Sequence, residues 1–198
     1  MKSSFEKFAG WMALFAGISG FLYSVAFIVL QNNLLSALFL LLGGLFSTAA
    51  LTALYQRLRG TESGFALLGL LLALSAALGS AIHGGYDLAN ALHPPASLST
   101  DLPNPIDPRG LLTFGIAGLG LFLLAWLMTQ EMRFPRNLAY LGILSAILMI
   151  ILYLGRLIVL QATSLVIVIP ALLEGFIVNP IWYIALGLTF MRDQSPSN

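Results

Sequence analysis

The chain has 198 residues, 59% hydrophobic and 9% charged, with a formal net charge of +1 and no cysteine; its mean hydropathy is +0.93. Soluble domains carry about 25% charged residues, so this chain lacks the polar surface of a water-soluble globule. The small net charge excludes the basic stripe of a nucleic-acid binder, and the missing cysteines exclude disulfide scaffolds, thiolate metal sites and cysteine nucleophiles.

An integral membrane protein remains. A helix needs roughly 20 mostly apolar residues to cross about 30 Å of hydrocarbon. The stretches 9–30, 34–55, 64–85, 110–130, 138–160 and 165–191 meet that length. They are apolar all round, whereas barrel strands alternate. The expected fold is therefore all-α: a polytopic transmembrane bundle of six helices in a single domain, 1–198.

Lys2 and Lys7 precede the first span. Its apolar run is too long for a secretory leader, and no small-residue cleavage pattern precedes Gln31, so it reads as a retained helix. The tight connections Gln31–Asn33 and Gln161–Ser164 make spans one and two, and five and six, antiparallel neighbours. Arg57 and Arg59 follow span two, Arg133 and Arg136 follow span four, and Arg192 follows span six. With the two lysines, all seven fall on one side of a six-span chain, against Arg109 and Arg156 on the other. The positive-inside rule then places both termini in the cytoplasm.

The connection 86–109 between spans three and four is long and extracytoplasmic, with prolines at 94, 95, 103, 105 and 108. Asp107 before Pro108 reads as a helix N-cap followed by a first-turn proline. Asn104-Pro105 and Asn179-Pro180 repeat a dipeptide of water channels, but neither follows the spare apolar half-span that such a box needs.

Ionisable residues inside spans are expensive and mark functional sites. Four stand out: His83 and Asp87 at the outer end of span three, Arg156 near the outer end of span five, and Glu174 in span six. All fall in the outer half of the bilayer by this topology. Ser75, Gly79, His83 and Asp87 recur every fourth residue and form one stripe, whose small members favour helix contact. The stripe is expected to face the bundle. Tyr153 shares a helix face with Arg156. Asn179 precedes Pro180, which frees backbone carbonyls in mid-membrane, and Trp182 with Tyr183 sit too deep for an interfacial belt. The candidate ligand-binding set is His83, Asp87, Tyr153, Arg156, Glu174, Asn179 and Tyr183.

The competing structural reading pairs Arg156 with Glu174 or Asp87 in a closed core. His83 and Asp87, joined by Glu174 or His93, have zinc-ligating atoms, yet no HExxH motif occurs and only two histidines exist. No metal, cofactor or catalytic residue is assigned: nucleophile elbows, Walker loops and dinucleotide fingerprints are missing.

The six-span layout and the segments Phe134-Pro135-Arg136-Asn137-Leu138-Ala139-Tyr140-Leu141-Gly142 and Leu173-Glu174-Gly175-Phe176-Ile177-Val178-Asn179-Pro180-Ile181-Trp182-Tyr183 resemble uncharacterised bacterial six-span integral membrane proteins of a domain-of-unknown-function family. The resemblance implies a bacterial plasma-membrane location and carries no activity. Three functions fit: binding or transport of a small molecule or lipid through an outer polar pocket, an accessory membrane subunit held by buried ion pairs, or a membrane-embedded lipid-modifying enzyme. The expected partners are membrane lipids and a small-molecule or lipid ligand, with no nucleic acid; a homo-oligomer is compatible with the pattern.

Overall fold

The computed structural model describes residues 4–94, 108–159 and 161–192, with side chains of the fourth helix described from residue 112 onward. The chain forms six helices: α1 (Ser4–Val29), α2 (Asn33–Leu58), α3 (Ser63–Leu92), α4 (Pro108–Gln130), α5 (Arg136–Val159) and α6 (Leu165–Met191). Each is long and apolar enough to cross a membrane, and the fold is all-α.

Which residues point inward shows the solvent for which the bundle is built. Phe8, Trp11, Phe15, Leu71 and Ile82 are exposed, whereas Ala9, Ala13, Ala50, Ala53, Ala66 and Ala146 are buried. Lipid chains solvate large apolar side chains as well as a protein core does, so packing is won by small residues that let backbones approach. The close approaches occur at such residues. A methyl group on Gly44 of α2 would lie 2.5 Å from the Ala77 carbonyl of α3. On Gly120 of α4 it would lie 2.5 Å from the Ala73 nitrogen, and on Gly187 of α6 2.6 Å from the Gly10 carbonyl of α1.

Each helix packs on its chain neighbours, and α6 returns to α1, closing a ring. The first half of α6 lies on α5 and its second half on α1. The fully packed core sits toward the end that carries the chain termini, where Leu54, Leu124, Met128, Trp182, Leu186 and Phe190 are almost completely buried. The opposite half is looser.

At the termini end the sequence reading needs a correction. Arg57 is not a loop charge: it lies in the last turn of α2 and is only 8% exposed. Its Nε donates to Glu6 Oε1 at 2.8 Å, and its guanidinium lies 4.9 Å from the Phe190 ring centroid. Arg133 Nη2 donates to the Arg57 carbonyl at 2.9 Å. One buried cation thus ties α1, α2, α6 and the α4–α5 turn together, through contacts that suit the flat, weakly hydrated guanidinium. Beside it, Arg133 Nη2 donates to Glu131 Oε2 at 2.9 Å. Hydrogen bonding by Arg133 holds the Glu131 carboxyl below the usual carboxylate range.

The third span is also longer than its hydropathy implies. α3 continues to Leu92, so residues 86–92 are helical and not part of the connection 86–109. Tyr86, Asp87 and Asn90 lower the apolarity of this last stretch, which is helical all the same. Asp107, as N-cap of α4, and residues 95–106 lie outside the described residues.

Two π-helical turns interrupt the regular pattern: Val25–Val29 closes α1, and Glu174–Val178 lies inside α6. The second falls between Pro170 and Pro180, and each proline deletes a backbone donor from α6. A π turn inserts one residue into a helical turn and re-aims the side chains around it.

Candidate functional site

The looser half of the bundle holds a cavity of about 1170 Å³ lined by residues of all six helices. Along α2 it runs from Asn33 to Leu51, which is about 27 Å at 1.5 Å per residue. Six of the seven expected site residues line it: His83, Asp87, Arg156, Glu174, Asn179 and Tyr183. They stand at two levels.

The upper level lies toward the helix ends remote from the termini. His83 Nε2 and Asp87 Oδ2, one turn apart on α3, are 3.2 Å apart with nearly half of each side chain exposed. Asp87 and Arg156 both act electrostatically on the Tyr23 hydroxyl, so α1, α3 and α5 each contribute one polar group here. Arg156 Nε is buried and has no hydrogen-bond partner among the described residues. An unmade bond to a buried charged donor is costly.

The floor centres on Glu174, which is 4% exposed. Glu174 Oε1 accepts from Ser145 Oγ at 2.6 Å and from Asn179 Nδ2 at 3.1 Å. The second bond depends on the π turn. In a regular helix, residues five apart point about 140° away from each other. The widened turn, closed by donation from the Asn179 N–H to the Glu174 carbonyl, brings the two side chains onto one face. Glu174 Oε2 is buried with no partner among the described residues. Tyr183 lines the same region and reaches Ser47 of α2.

These two levels do not contain the ion pair of the competing structural reading. No Arg156–Glu174 or Arg156–Asp87 bridge forms among the described residues, and Ser145 takes the place of the arginine. Ser145 and Arg156 are eleven residues apart on α5, an axial separation of about 16 Å, beyond an arginine's reach. The pairing of Arg156 with Glu174 fails on this axial offset, which the stagger between α5 and α6 does not close.

Two further expectations shift. Tyr153 does not line the cavity: it packs on α4, where a methyl group on Gly115 would meet its ring at 2.7 Å. Trp182, too deep for an interfacial belt, is 0% exposed and packs against Gly142 of α5. The stripe through Ser75 is not the buried face of α3. Ser75 is exposed, and the buried line runs through Ala66, Gly69, Ala73, Ala77, Ala81 and Gly84. His83 and Asp87 enter the cavity from the edge of that line. Among the described residues no group of three or more His, Cys, Asp or Glu side chains comes together.

Sequence reasoning missed Tyr23, Ser47 and Ser145. Tyr23 carried a usable signal, as a phenol six residues from the end of an apolar span. Serines in apolar helices bond their own backbone by default, as Ser47 Oγ does to the Gly43 carbonyl at 2.7 Å. Nothing local sets Ser145 apart.

Six apolar helices in a closed ring define a multi-pass membrane protein. No family model, no curated protein and no solved structure matches the chain.

Proposed function

We propose that the cavity binds an elongated amphiphilic small molecule or lipid, polar at the His83–Asp87–Arg156 level and apolar between that level and the floor. One observation carries this function: a space of about 1170 Å³ shared by six helices collects most of the chain's intramembrane ionisable groups. Its volume exceeds the roughly 300–1,000 Å³ of ordinary small-molecule sites. Phe114, Ala117, Leu152 and Ile167 line the stretch between the two levels and suit an alkyl chain. The clustering of Arg59, Arg133, Arg136 and Arg192 near the opposite end supports a cytoplasmic location for both termini, with the polar level facing outward. The resemblance to bacterial six-span proteins supports the plasma membrane as the host.

The test is native mass spectrometry of the purified protein after exchange into a neutral detergent and incubation with a total lipid extract. Wild type is expected to retain about one bound molecule per chain. Ala76→Trp, which fills the cavity from α3, is expected to lose it while keeping the wild-type elution profile. Equal retention by wild type and a folded Ala76→Trp variant would place the bound molecule elsewhere and refute binding in the cavity.

A further inference from the structure

The floor of the cavity is electrically one-sided. Glu174 supplies a carboxyl that is 4% exposed and has one oxygen without a partner. Its two donors, Ser145 and Asn179, both bind the other oxygen and neither carries a charge. Arg156, which lines the cavity at the other level, stands about 16 Å away along α5. Tyr183 adds an aromatic ring and a hydroxyl at this level.

A buried carboxylate is retained in proteins where it is paired or otherwise compensated. Here the chain satisfies one oxygen and leaves the other without a partner, on a residue that lines the cavity. A hydroxyl ligand would offer a neutral donor, whereas an ammonium offers a charge-assisted bond of roughly twice the strength and can also lie against the tyrosine face. We propose that the floor is a subsite for a primary ammonium group, with Glu174 Oε2 as its acceptor and counter-ion and Tyr183 beside it. This rests on ligand binding in the cavity and narrows the ligand to an amphiphile carrying an amine. Where the same molecule also bears an anionic group, Arg156 lies at the far level to receive it, so a zwitterion about 16 Å long would use both ends.

Decylamine, decanol and decanoate share one chain length and differ in head-group charge. Their binding to the detergent-purified protein at pH 7.5 is measured by displacement of a fluorescent fatty probe. Decylamine is expected to bind wild type at least tenfold more tightly than decanol, and Glu174→Gln to abolish that preference. Arg156→Met is expected to keep the preference, because it leaves the floor intact. Should Glu174→Gln fail to fold, the wild-type ranking of the three ligands decides alone.

Equal affinity for the amine and the alcohol in wild type overturns the ammonium subsite while leaving ligand binding in place. Failure of all three to displace the probe overturns ligand binding itself. Sodium chloride alone displacing the probe as effectively as decylamine would also overturn the subsite, by showing an inorganic cation on Glu174.

Discussion

Ser145→Ala removes the α5 hydroxyl that holds Glu174 in place. The contact is 2.6 Å long, both residues are below 5% exposed, and the acceptor is a carboxyl oxygen. Hydrogen bonds to charged groups contribute about 1.5–3 kcal/mol in soluble proteins. Interhelical bonds in membranes average only about 0.6 kcal/mol with a maximum near 1.7, because the unfolded segments also find partners in the bilayer. The short distance and the ionisable acceptor place this bond near the upper membrane value, about 1.5 kcal/mol. At roughly 2–4 °C per kcal/mol for a chain of this size, the melting temperature should fall by about 3–6 °C.

A double-mutant cycle with Glu174→Leu isolates the pair. In that background the serine has no carboxyl to bond and can turn back to its own helix, so Ser145→Ala should cost less than about 0.5 kcal/mol. Reversible unfolding in mixed micelles, followed by tryptophan fluorescence, reports both steps; Trp182 lies one turn away, against Gly142. A parallel cycle of Arg156→Met with Glu174→Leu should be additive within about 0.5 kcal/mol, since the two residues share no contact. If Ser145→Ala costs the same in both backgrounds, or the arginine cycle shows coupling above 1 kcal/mol, the assignment of Glu174's partner is wrong.

Gly120→Val should destabilise the protein by at least about 2 kcal/mol, because its Cβ would stand 2.5 Å from the Ala73 nitrogen and 3.0 Å from the Gly69 carbonyl, backbone atoms that cannot swing aside. Gly60→Ala, with nothing within 4 Å of the added methyl and no positive φ, should be neutral or slightly stabilising; thermal melts of the two variants side by side check the contrast. At the termini end, Glu131 is lowered from a reference value of 4.5 by its bonds to Arg133. A depressed carboxyl stabilises the fold fully above its unfolded value and loses that contribution as pH falls through its folded one. Melting temperature should therefore drop below about pH 4.5, and Glu131→Gln should flatten that part of the profile; an unchanged slope would show that this pair contributes nothing.

Much of the site was legible from cost alone. An ionisable or amide side chain in an apolar span has to be explained wherever it lies, and His83, Asp87, Arg156, Glu174 and Asn179 were found on that basis before any helix was placed against another. Tyr153 failed because sharing a face with Arg156 on one helix does not settle which neighbour that face meets; α4 takes it through Gly115. Ser145 was invisible because its importance belongs entirely to the residue opposite. The π turn at Glu174–Val178 was missed as well. Pro180 announced a disturbed helix, but the way the backbone absorbs a missing donor depends on what surrounds it.

The sequence by itself determined the six spans and the all-helical class, because crossing a bilayer is a local requirement: about twenty apolar residues must satisfy their own backbone bonds, whatever the rest of the chain does. Tertiary structure decided the depth and rotation of each span relative to the next. Those are set where small residues of different helices meet, as at Gly44 with Ala77 and Gly120 with Ala73, and a shift of a few residues there costs little in hydropathy. That stagger gives Glu174 a serine rather than an arginine and leaves one carboxyl oxygen and one guanidinium nitrogen without partners, on two residues that line the same cavity.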